Sequence, residues 1–382
     1  MKKISVFIYI YLWMIVLCFP ISAQEFQTIQ DGIEHAQVTR RIKDEPVVVN
    51  LLKLDLTKVR LDVVHAMDAA IGLEKTSSIA ARHGAVAAIN AGFFRLDKSI
   101  FAGDAAGVLQ IDGKILSENN GKRIALLIAN KSNRTTADIA HLNLSGILNV
   151  DNLPFLPLSG INRQRADKDD LLVFTPEFSR TTLTNPNGLE IVVQKGKVTQ
   201  IFDGKGSNFI PSDGFIVSAS GKRREELLPL VKIGVRVKYQ FIRADLGRGL
   251  TSNPENIAPF SASEDIVGGV PQLIKNGKIE ITWEQEKSSK SFVETRHPRT
   301  AAAKLKDGKF LMVTVDGRQP ETSVGMSLQE LAEMLLELGA TDAMNLDGGG
   351  STTMFLNGKV VNRPSDKEGE RSVSDALLVF PR

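Results

Sequence analysis

Cysteine is almost absent from this 382-residue chain, because its single cysteine, Cys18, lies in the one long apolar run at the N-terminal end. The rest of the sequence has no thiol, which excludes disulfides, thiolate catalysis and a cysteine-type zinc site there. The chain also lacks a large excess of either charge, with 47 basic against 44 acidic side chains. This near balance gives no indication of nucleic-acid binding. Stability must therefore come from a hydrophobic core.

The N-terminal stretch has the pattern of a secretory signal. Lys2 and Lys3 precede an apolar run at residues 4–19, and small residues follow it. We predict that residues 1–23 are a signal peptide and that the protein is exported, to a periplasmic, cell-surface or secreted state. An uncleaved N-terminal anchor is the alternative. No second apolar run of that length follows, so we expect no transmembrane helix in the mature chain.

Residues 24–382 are enough for a single domain with a sizeable core. The motifs described below all fall in residues 45–125 and 260–382. The middle region, 131–260, combines turn formers with strand-like runs at 171–175, 189–193 and 235–242. We predict an α+β fold with a large mixed, mostly antiparallel sheet and a few packed helices.

Three dipeptides predict tight hairpins. Asp112-Gly113, Asn276-Gly277 and Asn357-Gly358 each separate two apolar, strand-like runs. Asn-Gly and Asp-Gly favour two-residue turns because both residues tolerate positive φ. The three hairpins imply much antiparallel sheet.

Two helices can be placed from their end signals. Ser77 is predicted to begin a helix that Gly84 ends, and a capping box at Ser327 and Glu330 begins a second helix that Gly339 ends.

A strand follows each helix, and the two units share a pattern. Residues 84–90 and 339–345 match in Gly, Ala, Ala and Asn at the same spacing. This match indicates an internal duplication, with Asn90 and Asn345 facing each other across the seam. Coincidence between two ordinary helix-to-strand units is the alternative.

The strongest chemical signal is a glycine-rich segment that begins at Asn345 and Asp347 and lies between two predicted strands. Glycines in a row let backbone N–H groups face one point, and neighbouring hydroxyl groups add donors. Such a segment can hold an anionic phosphate, whereas a flexible hairpin loop is the alternative. Its predicted binding residues are Gly348, Gly349, Gly350, Ser351 and Thr352.

Charged side chains follow other predicted strands. The segments His297-Pro-Arg299-Thr300 and Asp316-Gly-Arg318 bracket an apolar run at 310–315, and Arg371 lies near the C-terminal end. Carboxylates and forked guanidinium donors are suited to holding a phosphate and acting on the atom beside it.

Taken together, these motifs resemble the phosphodiester glycosidases, and the ordered set is far more selective than any single member. The resemblance covers most of residues 45–125 and 260–382. The motifs that carry it are, in order, Ala88-Ile-Asn90-Ala-Gly92-Phe93-Phe94, Gly268-Gly269-Val-Pro271, His297-Pro-Arg299-Thr300-Ala, Val315-Asp316-Gly317-Arg318 and Asn345-Leu-Asp347-Gly-Gly-Gly-Ser-Thr.

The resemblance implies hydrolysis of a sugar-1-phosphodiester, or action on a phosphorylated glycan, without a required cofactor. One known activity of the family removes N-acetylglucosamine from a phosphodiester. The lack of cysteine suggests a bacterial envelope setting and puts the same natural substrate in doubt.

The resemblance also assigns roles to the motif residues. Asp316 and Asp347 would form the catalytic carboxyl pair. Arg299, Arg318 and Arg371 would clamp the phosphate above the glycine segment. His297 could be a further donor, and packing of the turn before Pro298 is its alternative. Asn90 and Asn345 would bind sugar hydroxyls, and Phe93 or Phe94 could stack on a sugar face, core packing being the alternative for the pair. Gly92 and Thr300 are further candidate residues for binding the substrate or its phosphate.

Two other functions fit the same residues. A metal-dependent phosphodiesterase could use Asp316, Asp347 and Asn345 as oxygen ligands for Mg²⁺ or Ca²⁺. A non-catalytic envelope module could bind phosphorylated glycans through the same pocket. The glycosidase ranks first, the binding module second and the metal enzyme third.

Overall fold

The computed structural model describes residues 25–119, 121–243 and 263–382. The predicted signal peptide and the turn formers at residues 252–256 lie outside the described residues. The helices are α1 (Thr76–His83), α2 (Gly221–Leu227), α3 (Lys290–Glu294) and α4 (Leu328–Glu337).

Most of the regular structure is β. The strands, in chain order, are β1 (Gln27–Gln30), β2 (Ile33–Ile42), β3 (Glu45–Leu54), β4 (Val59–His65), β5 (Glu74–Lys75), β6 (Ala87–Asn90), β7 (Leu109–Ile111), β8 (Lys114–Ser117), β9 (Ile124–Lys131), β10 (Arg134–His141), β11 (Leu144–Val150), β12 (Leu156–Pro157), β13 (Gly160–Ile161), β14 (Leu171–Phe174), β15 (Leu189–Gln194), β16 (Lys197–Asp203), β17 (Gly214–Ala219), β18 (Val237–Arg243), β19 (Asp265–Gly268), β20 (Gln272–Lys275), β21 (Lys278–Ile279), β22 (Arg299–Leu305), β23 (Phe310–Val315), β24 (Ala340–Asn345), β25 (Met354–Leu356), β26 (Lys359–Val360), β27 (Ser372–Val373) and β28 (Asp375–Pro381).

The strands form several sheets rather than the one large sheet that the sequence suggested. The largest has the order β1-β2-β3-β23-β22-β24-β20-β21, and a five-stranded sheet has the order β26-β25-β6-β28-β4. Pairing is antiparallel throughout both sheets, while β13 and β14 pair in parallel elsewhere. Dividing the strands allows apolar faces of separate sheets to cover one another. The α+β class is confirmed.

The main core lies between these two sheets and a third one, β10-β9-β19-β7-β8. It contains Leu52 and Met344 from the largest sheet, Ile89 and Leu377 from the five-stranded sheet, and Leu126 from the third. Helix α4 packs on the outer face of the largest sheet, and α1 packs on the outer face of the five-stranded sheet. The strands that carry the site residues are therefore fixed from both faces.

Local signals predicted the hairpins and one helix start. All three predicted dipeptide turns join antiparallel strands, and their residues have positive φ, for example 46° at Asn357 and 83° at Gly358. The capping box of Ser327 and Glu330 is confirmed. The strand-like runs of the middle region correspond to β14, β15 and β18.

The start of α1 differs from its prediction. The helix begins at Thr76 and Ser77 lies inside its first turn. The Ser77 backbone N–H and hydroxyl both donate to the Glu370 carboxylate, at 2.7 and 2.5 Å. A distant side chain therefore satisfies the helix N-terminus, and the serine has no capping role.

The internal duplication stays a prediction. The two similar units end in strands β6 and β24, which belong to different sheets on opposite sides of the main core. Asn90 comes close to the segment after Asn345, because its side-chain amide donates to the backbone oxygen of Asp347 at 2.6 Å.

Candidate active site

Four strand ends bring the predicted site residues together. Antiparallel pairing places Arg299, at the start of β22, opposite Val315, at the end of β23. The same pairing places Ala301 opposite Asn345, at the end of β24. Hydrogen bonds between β6 and the segment after β24 add Asn90 to this edge. Residues far apart in the chain thus reach one place because the strands that carry them terminate there.

The glycine segment is a tight loop that leaves no room for side chains. Gly348 lies so close to Pro298 that a Cβ there would be 2.7 Å from its carbonyl oxygen. Gly349 has a φ of 62°, in the region that favours glycine. Its N–H donates to the Pro298 oxygen at 2.9 Å, which ties the loop to the segment before β22.

Two arginines lie against this loop. Nη2 of Arg318 is 3.0 Å from the point where a Cβ of Gly349 would lie, and Nη2 of Arg371 is 2.2 Å from the same point on Gly350. Arg318 is exposed and forms no ion pair within the described ranges, whereas Arg371 is paired with Asp366. Two guanidinium groups thus face one loop, which is the arrangement that binds phosphate oxygens.

Asp347 is at the start of the loop. Its backbone N–H donates to the Ala91 oxygen at 2.9 Å. Burial raises the pKa of its carboxyl group to about 7, although the Ser351 hydroxyl and the charge of Arg371 act in the opposite direction and the Asp375 carboxyl raises it further. Asp347 therefore keeps its proton to a higher pH than an ordinary aspartate does.

Asp316 lies at the other end of the loop and is almost fully buried, 4% exposed. Its Oδ1 accepts hydrogen bonds from the Asn362 side chain and the Arg363 backbone, at 3.2 and 3.0 Å. The Asn362 amide also donates to the Thr352 oxygen at 3.0 Å, so Asp316 and the loop share one bridging side chain. Burial raises the Asp316 pKa.

His297 lies beside the arginines. Burial and the charges of Arg299 and Arg318 lower its pKa, so the ring is neutral at pH 7. Its Nδ1 is buried and has no hydrogen-bond partner among the described residues.

Arg299 does not fit its predicted place in the clamp. The side chain is 1% exposed, and it donates to the backbone oxygens of Met326, Phe292 and Thr295 at 2.7 to 2.9 Å. Burial, with a contribution from the nearby charge of Arg318, lowers its pKa to about 10. Arg299 therefore braces the segments around the site, because its forked donors are committed to backbone carbonyls.

The predicted sugar-binding polar residues form a buried web beneath the loop. The side-chain oxygen of Asn90 accepts a hydrogen bond from the Thr300 hydroxyl at 2.8 Å and another from the Thr353 backbone N–H at 3.1 Å. Asn345 donates to the backbone oxygens of Val270 and Leu346, while its own side-chain oxygen has no partner in the described part of the chain. The Asn90 side chain thus positions Asp347 and does not reach outward to a sugar.

The remaining predicted residues also fall near the site. Phe93 is partly buried and packs edge-to-face on Phe292, with 6.1 Å between ring centroids. Ser351 and Thr352 are buried. The Gly92 N–H donates to Oδ1 of Asp375 at 2.5 Å.

Asp375 was not predicted from the sequence. It begins β28 within the apolar run Ala376 to Phe380, and it is only 1% exposed. An acidic residue at the head of such a run is a weak signal, since Asp commonly precedes strands as a turn residue. Asp366 and Asn362, which contact Arg371 and Asp316, were also missed, because polar residues in a turn-rich stretch are an ordinary loop pattern.

The described residues were also compared with what a metal site and a membrane-spanning helix require. Across residues 25–119, 121–243 and 263–382, no group of three or more His, Cys, Asp or Glu side chains is arranged to hold a metal ion. The helices in these ranges are all too short or too polar to cross a membrane.

The fold and the site define an α+β protein in which two arginines lie against a glycine loop that begins at Asp347. The chain belongs to the phosphodiester glycosidase family, whose model matches residues 187–380. The match includes the loop and both arginines, and begins inside the middle region. The motif around Asn90 lies before it.

Named relatives support this membership. The chain is 30% identical over 184 residues to the N-acetylglucosamine-1-phosphodiester alpha-N-acetylglucosaminidase of Mus musculus, a match that covers 46% of this chain and 33% of the relative. The Homo sapiens protein of that name is 32% identical over the same length and share. The chain therefore aligns with about a third of the length of these relatives.

Solved structures share the fold over most of the chain. A hypothetical protein from Synechocystis has a TM-score of 0.78 at 25% identity, covering 94% of this chain and 64% of that one. A putative exported protein from Burkholderia pseudomallei K96243 has a TM-score of 0.74 at 26% identity, covering 88% and 75%.

Proposed function

We propose that this protein hydrolyses the bond between the anomeric carbon of a sugar and the phosphate of a sugar-1-phosphodiester. The products are a free sugar and a phosphate monoester. The observation that carries the proposal is the placement of Arg318 and Arg371 against one glycine loop that begins at Asp347. Family membership supports the same reaction class.

The clamp would bind the phosphate. The guanidinium groups of Arg318 and Arg371 donate to its oxygens from one side, and backbone N–H groups of residues 348–352 lie beneath. The departing phosphate monoester is a stable anion with a second pKa of about 6, so it needs less protonation than the alcohol that leaves an ordinary glycoside.

The carboxyl groups would act at the sugar. Asp316 and Asp347 lie at the two ends of the loop, and we assign one to activating the attacking water and the other to the leaving oxygen. Asp316 suits the first role because only one of its carboxylate oxygens is engaged by Asn362 and Arg363. Asp347 suits the second role because its raised pKa leaves a proton to give.

We propose N-acetylglucosamine as the sugar, because the names of the relatives specify it. We propose that the enzyme is exported, because its N-terminal residues have the pattern of a secretory signal. We also propose that hydrolysis needs no metal ion, since arginines and backbone donors supply the charge stabilisation that a metal would otherwise provide.

Incubation with several sugar-1-phosphodiesters in ¹⁸O-labelled water tests the reaction. We expect free sugar that carries the label, with or without chelator. Label in the phosphate together with loss of activity in chelator would mean a metal phosphodiesterase, and binding without turnover would mean a glycan-binding module.

Asp347, which follows β24, provides the test variant, and Asp342, within β24, provides the control. Asp347→Asn should reduce sugar release by at least about a hundredfold, the typical loss when an acid or base is removed. Asp342→Asn should retain turnover, because Asp342 pairs with Lys275 on β20 instead of contacting the loop. Unchanged turnover in Asp347→Asn would remove Asp347 from the mechanism.

A further inference from the structure

Glu370, the residue before Arg371, is attached to the start of helix α1. Its two carboxylate oxygens accept hydrogen bonds from the Ser77 backbone N–H at 2.7 Å and from the Ser77 hydroxyl at 2.5 Å. Lys75, at the N-cap position of α1, makes no side-chain capping bond, because an ammonium group only donates. The first turn of the helix therefore takes its acceptor from Glu370.

The residues after Arg371 are attached to the same part of the fold. Ser372 and Val373 pair in antiparallel register with β5, the strand that leads into α1. Val373 is 1% exposed and lies in one buried cluster with Ile79 of α1. The backbone on both sides of Arg371 is thus connected to α1 and to the strand before it.

The Arg371 side chain extends from this attachment to the glycine loop. Its Nε and Nη2 donate to the two carboxylate oxygens of Asp366, at 2.7 and 3.1 Å, and Nη1 has no acceptor among the described residues. Nη2 lies 2.2 Å from the point where a Cβ of Gly350 would be placed. The N–H groups of Nη1 are therefore available beside the loop for a phosphate oxygen.

Asp366 cannot by itself fix Arg371 relative to the loop. Asp366 and Gly369 form a tight turn, in which the Gly369 N–H donates to the Asp366 oxygen at 3.0 Å. The ion pair between Asp366 and Arg371 is therefore local to one short hairpin, and its two members move together. A contact to a distant element is needed to hold the hairpin in place, and the Glu370 contact with Ser77 is such a contact.

Helix α1 and the glycine loop are fixed to one sheet. Helix α1 packs on the five-stranded sheet through Ile79 and Ala80. Strand β6 of that sheet ends at Asn90, whose amide donates to the backbone oxygen of Asp347 at 2.6 Å, where the loop begins. The attachment of Glu370 to α1 therefore sets the position of Arg371 on the same frame that holds the loop.

We propose that Glu370 is a positioning residue that, through Ser77, holds Arg371 against the glycine loop for phosphate binding. The inference rests on the proposed function, because it concerns the phosphate site of that reaction. Without the contact, the hairpin that carries Arg371 and Asp366 could move away from Gly350 with its ion pair intact. The guanidinium group would then no longer be placed to donate to the phosphate, since forked donation requires close placement.

Titration with inorganic phosphate, followed by ³¹P NMR, tests the inference without turnover. Glu370→Ala should weaken phosphate binding about tenfold. Glu370→Gln should stay within about threefold of the parent protein, because its amide can accept from the Ser77 N–H and donate to the Ser77 hydroxyl. Unchanged affinity in Glu370→Ala, an equal loss in Glu370→Gln, or a parent protein that binds no phosphate would overturn the inference.

Kinetics and thermal unfolding separate positioning from simple helix capping. In Glu370→Ala we expect KM for a sugar-1-phosphodiester to rise about tenfold while kcat changes less than about twofold, the pattern of lost substrate binding. A lower unfolding temperature at unchanged KM and unchanged phosphate affinity would mean that Glu370 only caps α1, which would contradict the inference.

Two adjacent serines cover the case in which Glu370→Ala does not fold. Ser77→Ala keeps the backbone bond to Glu370 and removes the hydroxyl bond, so phosphate affinity should fall about threefold. Ser78→Ala is the control, because Ser78 is exposed on the same helical turn. Equal affinity of the two serine variants would overturn the inference. A parent protein that binds phosphate but releases no sugar would refute the proposed function, and the phosphate affinities would still decide the role of Glu370.

Discussion

At the scale of single residues, Arg318 is held in an unusual backbone conformation. Its φ of 60° lies in the left-handed region, which costs a non-glycine residue free energy. Asp316 and Gly317 precede it, and the Gly317 backbone packs so closely on Pro298 that a Cβ there would be 2.7 Å from the Pro298 nitrogen. The turn therefore aims a long cationic side chain at the loop, at the expense of local strain, as functional sites often do.

Replacing the forked group by a single ammonium tests this placement. Arg318→Lys keeps the charge but loses bidentate donation, so we expect kcat/KM for a sugar-1-phosphodiester to fall about tenfold or more, roughly 1.4 kcal/mol. Arg223→Lys is the matched control, since Arg223 is on α2 and pairs with Glu226. Equal activity of both variants would show that Arg318 does not bind phosphate.

The sequence indicated which charged residues lie next to the glycine loop better than it indicated the contacts that each one makes. Arg318, Arg371 and Asp347 were recognisable because charged residues next to glycine turns are typical of anion sites. The bracing role of Arg299 depends on carbonyls of Met326 and Phe292, which only the folded chain places around it. Asp375 gains its surroundings from β4 and the Gly92 turn, more than 280 residues away.

At the scale of elements, the loop after β24 depends on the absence of side chains. A Cβ on Gly350 would be 2.2 Å from both Arg371 Nη2 and Asp366 Oδ1. Such a contact cannot persist, so either the loop or the ion pair must move.

Gly350→Ala should therefore displace Arg371 and weaken phosphate binding, raising KM about tenfold while the secondary structure is retained. Steady-state kinetics and circular dichroism would measure the two effects. Gly107→Ala is the control, because a Cβ there meets only the Gly268 Cα at 4.0 Å. A normal KM in Gly350→Ala would mean that Arg371 tolerates displacement and contributes little binding.

Elements with complete local signals were predictable, and those with distant partners were not. The turn at Asn357 and Gly358 and the capping box at Ser327 need only adjacent residues. The first turn of α1 uses Glu370, 293 residues from Ser77, and no local pattern could indicate that contact. The division into several sheets likewise depends on which strands pair across the whole chain.

At the scale of the whole molecule, a proton on Asp347 links stability to pH. The folded-state pKa of about 7 is above the ordinary value of 3.8, so the folded protein binds the proton more tightly than the unfolded chain. The contribution to stability is fully present below pH 3.8 and is lost as the pH rises through 7.

Asp347→Asn should abolish the loss of stability at high pH, because an asparagine side chain does not ionise. We expect the variant to match the parent protein in free energy of unfolding near pH 4 and to exceed it increasingly up to pH 8, as measured by urea denaturation. Asp342→Asn should show no such gain at pH 8. Burial raises the pKa of the Asp342 carboxyl group, but the Lys275 contact outweighs burial and leaves that pKa below its ordinary value. A parent protein as stable as Asp347→Asn at pH 8 would contradict the raised pKa.

The pairing of β28 with β4 and β6 also governs when the site can exist during biosynthesis. Residues 375–381 leave the ribosome long after their partners at 59–65 and 87–90. The early strands must wait for β28 before that sheet is complete, since such distant pairing closes a very long segment of chain. A nascent polypeptide consequently lacks the assembled site until β28 has been made.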